Sequence, residues 1–113
     1  MKLMNKDIKN GSDSCDRSLN VREKQIEQRL IKAVREKGGL APKFVSPGWD
    51  GVPDRIVLLP GGCVGFVELK SPGKTMRPLQ IRRKRQLESL GFKVFCIDGP
   101  WQIEEVLHAI QTT

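Results

Sequence analysis

Two strand-prone runs, Arg55–Leu59 and residues 63–68, flank the tripeptide Pro60-Gly61-Gly62. So short a connection commits the two runs to an antiparallel hairpin, and the turn then sets which side chains meet. With a three-residue loop centred on Gly61, Leu59 opposes Cys63, Val57 opposes Gly65 and Asp54 opposes Glu68. Directly opposed residues have Cβ atoms about 4.5–5.5 Å apart. With a Gly61-Gly62 loop the register slips by one, so that Asp54 opposes Leu69 and lies diagonal to Glu68 and Lys70. Side chains alternate along a strand, so Glu68 and Lys70 share one face and Val67 and Leu69 the other.

Two carboxylates in one site repel each other unless a cation lies between them. A hard divalent ion, Mg²⁺ or Mn²⁺, suits that position because it takes oxygen ligands and retains water. A neighbouring lysine would orient that water. The competing interpretation is an exposed hairpin with ordinary surface charges. Charge favours a polyanionic partner: the chain carries 20 Lys and Arg against 13 Asp and Glu, for a net +7. Lys70, Lys74, Arg77, Arg82, Arg83, Lys84 and Arg85 fall in one loop and the helix that follows it, a footprint suited to a phosphate backbone.

That helix begins at Pro78, whose missing N–H costs nothing in a first turn, and runs to about Leu90 before Gly91. Helical spacing makes Leu79, Leu87 and Leu90 its inward face, with Gln80 and Arg83 within or beside that sector. Gln80 is then a candidate to position water or substrate. Arg83 is a candidate to hold a phosphate or to form a buried ion pair. For Arg82, Lys84 and Arg85 a solvated face and a DNA-contacting surface are both open.

Residues 21–37 predict an earlier helix with Ile26, Leu30, Ala33 and Val34 as its apolar stripe and Asn20 as N-cap. At about 100° per residue, Glu23 falls inside the stripe and Glu27 on its edge. A carboxylate aimed at a buried face needs a partner. Glu23 is therefore the favoured acid of this helix, with Glu27 the alternative.

The remaining segments alternate. Gly38-Gly39 stops the first helix, residues 42–45 predict a short strand, and 46–53 a Gly- and Pro-rich loop. Residues 71–77 form a basic loop, 93–97 a strand and 100–110 a closing helix. The crossover from Lys70 to Lys93 makes those two strands parallel. The fold class is α/β, one mixed sheet flanked by helices. At 113 residues the chain suits one domain, residues 21–113, behind a polar flexible tail, 1–20, that lacks a signal peptide's apolar centre. No apolar run approaches the ~20 residues of a bilayer span. Cys15, Cys63 and Cys96 lack metal-ligand spacing and His108 is the single histidine, so zinc is not expected and a reducing cytoplasm is. Trp49 would either stack on a base or cap the core; Trp101 and His108 would pack or lie on the surface.

Gly51-Val52-Pro53-Asp54-Arg55, Val67-Glu68-Leu69-Lys70 and Arg77-Pro78-Leu79-Gln80 together resemble the VRR-NUC family, virus-type replication-repair nucleases within the PD-(D/E)XK superfamily, in its stand-alone phage or bacterial form. The similarity runs over residues 21–110. It implies an αβββαβ core and a metal-dependent nuclease. It carries Asp54, Glu68 and Lys70 over as the metal and catalytic cluster, Gln80 as a further active-site residue, and a glutamate on the first helix. The metal would be bound by Asp54, Glu68 and the Leu69 backbone carbonyl, with Glu23 closing the site, while Lys74, Arg77 and Arg83 would contact substrate. Nothing in the chain resembles a base-reading module. Branched DNA, such as flaps or four-way junctions, is therefore the expected substrate, and stand-alone relatives suggest a homodimer. The rival is a nucleic-acid-binding module that kept the fold and lost turnover.

Overall fold

The computed structural model describes residues 15–112, with side chains from Arg22 onward. In chain order the elements are α1 (Cys15–Glu36), β1 (Arg55–Leu59), β2 (Cys63–Leu69), α2 (Pro78–Ser89), β3 (Lys93–Ile97), a 3-10 turn (Pro100–Gln102) and α3 (Ile103–Gln111). The sheet has the order β1-β2-β3. β1 and β2 are antiparallel, pairing Leu59 with Cys63, Val57 with Gly65 and Arg55 with Val67. This is the register of the three-residue loop. Gly61 and Gly62 adopt φ of 89° and 77°, a left-handed pair that glycine enters without steric cost. β2 and β3 are parallel, with Glu68 beside Cys96 and Leu69 beside Ile97.

Alternation divides the apolar residues between two layers. Val57, Leu59, Val67, Leu69 and Ile97 face Ile26, Leu30 and Val34 of α1 and Ile103, Val106, Leu107 and Ile110 of α3. On the opposite face Phe66 and Val94 pack with Leu87 of α2, and Phe44, Trp49 and Ile56 close around them. Each fully buried aliphatic side chain contributes roughly 1.5–3 kcal/mol, so the larger layer carries most of the stability. Glu68, on the α2 face, sits beyond the end of the smaller layer.

Three local expectations are corrected. The helix expected from residue 21 begins at Cys15, which places Asn20 inside α1 rather than at its N-cap. No proline or glycine interrupts residues 15–37, so nothing stops the helix at 20. The rest of the expected tail, 1–14, lies outside the described residues.

Second, residues 42–45 do not form a regular strand. Leu40 and Leu58 exchange both backbone bonds, at 2.9 and 2.8 Å, and Ile56 N–H donates to the Pro42 carbonyl at 3.0 Å. Pro42 has no N–H to return the bond. The edge ladder therefore reduces to isolated bridges, Leu40 with Leu58 and Lys43 with Arg55.

Third, the inward face of α2 is Gln80 and Leu87. Leu79 is 40% and Leu90 73% exposed. Leu90 is the C-cap, where helical periodicity ends. Leu79 leans over Gly51, where an added Cβ would come within 2.7 Å of its Cγ.

Candidate active site

The C-terminal ends of β2 and β3 and the start of β1 lie at one end of the sheet, as the strand directions require. Carrying the β1–β2 register one residue further sets Asp54 opposite Glu68, and Cys96 lies on the other side of Glu68. Asp54, Glu68 and Cys96 thus form one row across three strands. The Leu69 N–H donates to Asp54 Oδ2 at 2.8 Å, fastening the acid to the strand that carries Glu68.

Glu68 is 2% exposed. Its Oε2 accepts from Gln80 Nε2 at 2.5 Å and lies 3.3 Å from Lys70 Nζ. Its Oε1 is buried with no hydrogen-bond partner. Burial, then the Asp54 carboxylate, pushes Glu68 up to about 7 against the pull of Lys70. Asp54 is also raised, chiefly by burial, while the Leu69 N–H and Lys70 oppose the shift. A bare buried carboxylate oxygen is costly. Together with a second acid whose charge is disfavoured, it makes a place for a cation. Among the described residues no three His, Cys, Asp or Glu side chains converge as a metal centre. A site of two carboxylates suits Mg²⁺, which is commonly held by one or two carboxylates plus water and substrate phosphate. The donors present therefore fit the expected Mg²⁺ or Mn²⁺.

Gln80 is fixed at both ends of its amide. Its Oε1 accepts the Arg77 N–H at 2.8 Å, capping the start of α2, and this leaves Nε2 to donate to Glu68. One buried side chain thus ties a helix terminus to the central acid.

The two glutamates of α1 occupy different settings. Arg55 grips Glu27 Oε2 through Nε at 3.0 Å and Nη2 at 2.9 Å, and its Nη1 donates to the Ala41 carbonyl at 2.8 Å. Glu23 accepts from the Ser71 hydroxyl at 3.4 Å, and its charge raises Glu68. Glu23 thus lies toward the end of β2, while Glu27 is held by Arg55 and its charge raises Asp54. Neither the Arg55–Glu27 pair nor buried Ser71 stood out in the sequence. A charged residue directly after Asp54, in a strand with one buried face, was the available signal.

The outer candidates separate from this group. Lys74 and Arg77 are exposed on the loop before α2. Arg83 is turned toward the loop ahead of Asp54: its Nε donates to the Asp50 carbonyl at 2.6 Å, and its guanidinium stands 5.0 Å from the Trp49 ring centre. Its side-chain partners are the Asp50 carbonyl, Gln86 and Trp49, so the buried ion pair considered for it from sequence is not formed among the described residues. Trp49 joins the smaller apolar layer.

A three-stranded mixed sheet between helices, with paired acids and a lysine at one end of its central strand, defines an α/β protein of nuclease-like fold. A solved structure described as a VRR_NUC domain matches it with a TM-score of 0.72 and 27% sequence identity, covering 77% of this chain and 95% of that one. "Putative nuclease p44" of Acyrthosiphon pisum secondary endosymbiont phage 1 is 46% identical over 90 residues, 80% of this chain and 96% of the phage protein. No protein-family model matches the chain. By the relative and the solved structure, the chain belongs to the VRR-NUC family of nucleases. No helix among the described residues is long and apolar enough to cross a membrane.

Proposed function

We propose that this protein is a divalent-metal-dependent DNA endonuclease that hydrolyses phosphodiester bonds in branched DNA, flaps or four-way junctions. The observation that carries this reading is the buried, unpartnered Glu68 Oε1 beside Asp54 and Lys70. Asp54, Glu68 and the Leu69 carbonyl would hold Mg²⁺ or Mn²⁺, with Glu23 closing the site directly or through water. When bound, the ion supplies an acidified water and polarises the scissile phosphate.

The chain's own residues do the rest. Gln80 occupies Glu68 Oε2 and so leaves Oε1 for the ion. Lys70 orients the attacking water and offsets the negative charge that grows on the phosphate. Lys74 and Arg77 hold flanking phosphates, a contact that positions DNA without reading its sequence. Arg83 supports the substrate side indirectly, by bracing the loop that leads to Asp54. The absence of a base-reading element in the sequence favours recognition of DNA structure. A two-fold homodimer would present two such sites to the two strands of a junction.

The test is cleavage of labelled linear duplex, single strand, flap and four-way junction, with Mg²⁺, Mn²⁺ or EDTA. Metal-dependent cuts that favour the branched substrates are expected. Tight salt-sensitive binding without cuts on any substrate would instead assign a binding module.

A further inference from the structure

Trp101 is 73% exposed, although tryptophan is usually highly buried. Its exposure does not come from a loose side chain. The six-membered ring packs on Gly99, where an added Cβ would lie 2.1 Å from Cη2 and 2.2 Å from Cζ3. Gly99 is itself buried beneath it. The segment carrying the ring is also pinned, because Gln102 Oε1 accepts the N–H groups of Asp98 and Gly99 at 2.7 and 3.1 Å. A held aromatic with most of its surface in water is organised to receive something flat.

Its position indicates what. The segment follows β3, so it leaves the sheet at the same end as Glu68 and Lys70. The Lys70 N–H donates to the Ile97 carbonyl at 2.9 Å, and the Gly73 N–H approaches Asp98 Oδ2 at 3.4 Å. These bonds join the Trp101 segment to the 71–77 loop that carries Lys74 and Arg77. An apolar plate on a segment bonded to the 71–77 loop, in a chain of net charge +7, matches a nucleotide, with a flat base and an anionic backbone.

We propose that Trp101 is a stacking platform for an unpaired nucleobase of the substrate. The inference rests on the nucleic-acid reading above and specifies it: the substrate has single-stranded character beside the cut. Duplex bases are already stacked on their neighbours and do not reach such a platform, whereas the arm of a flap does.

The test uses binding without divalent ions, so that it is independent of catalysis. In a Trp49→Phe background Trp101 is the sole tryptophan, and its fluorescence is followed on titration with oligothymidylate and with an abasic oligonucleotide of equal length. Quenching by oligothymidylate alone is expected. Trp101→Ala should weaken oligothymidylate binding by roughly 5- to 150-fold and leave abasic binding unchanged, and Trp101→Phe should fall between. Equal affinity of wild type and Trp101→Ala for oligothymidylate would overturn the platform. So would a change in sedimentation of Trp101→Ala at unchanged affinity, which would assign the ring to contact with a second copy of the chain. Absence of cleavage by the wild type would reject the nuclease reading and leave this binding result standing.

Discussion

Gln80 donates to one oxygen of Glu68 and leaves the other buried without a partner. A protein that needed only to neutralise this carboxylate could have bonded both oxygens. The half-satisfied state is unfavourable for the isolated chain and favourable for one that binds a cation there.

This asymmetry predicts a pH dependence of stability. In the folded chain Glu68 titrates at about 7, above its ordinary range. The folded state therefore holds more protons than the unfolded state between roughly pH 4.5 and 7. Stability from this group is full below that window, falls as pH rises through it, and is flat above; the loss is on the order of 3 kcal/mol. Asp54 adds a shift of the same sign. Denaturant unfolding of metal-free protein across this range should show the decline, and Glu68→Gln should make it shallower.

Lys70 contacts the same oxygen as Gln80 and is the proposed catalytic lysine. Lys70→Ala should abolish cleavage while preserving metal-free DNA binding, measured by anisotropy. Cleavage at the wild-type rate by this variant would remove Lys70 from the mechanism.

Gln80 acts through Glu68 and through the start of α2. Gln80→Ala should cost about 1–3 kcal/mol of stability, since it removes a hydrogen bond to a buried carboxylate and a helix-terminal acceptor. It should also lower metal affinity by roughly 10- to 100-fold, as loss of a group that orients a ligand does. Thermal unfolding and metal titration separate the two effects.

The Arg55–Glu27 fork is mostly buried, with side-chain exposures of 12% and 23%. Breaking it from one side strands a charge, so Arg55→Ala should destabilise the fold by about 3 kcal/mol. Arg55→Met combined with Glu27→Leu should recover most of that loss. A double variant as unstable as the single one would show that the pair contributes by more than mutual neutralisation.

The hairpin and its acids were legible in the sequence because local chemistry decides them. Pro60-Gly61-Gly62 allows few turns, and one register follows from each. The parallel placement of β3 was legible because the loop and helix between Lys70 and Lys93 are long enough for the crossover that parallel strands require. The broken edge strand turned on one missing donor at Pro42, visible only once its partner across the sheet was known. The face of α2 departs from helical periodicity at its ends, where Leu79 meets the 46–53 loop and Leu90 lies in the cap. The pairing of Glu27 with Arg55, 28 residues further on, was not legible from helical spacing. That Arg83 meets Trp49 and the Asp50 carbonyl, 33 residues away, rather than a buried acid likewise lay beyond helical spacing.

The most direct test of the account is calorimetric titration of Mn²⁺ into wild type and Glu68→Ala, with circular dichroism confirming that both are folded. Saturable binding to the wild type that disappears in the folded variant is the predicted result. Equal Mn²⁺ binding by both proteins would contradict the assignment of Glu68 as the central ligand.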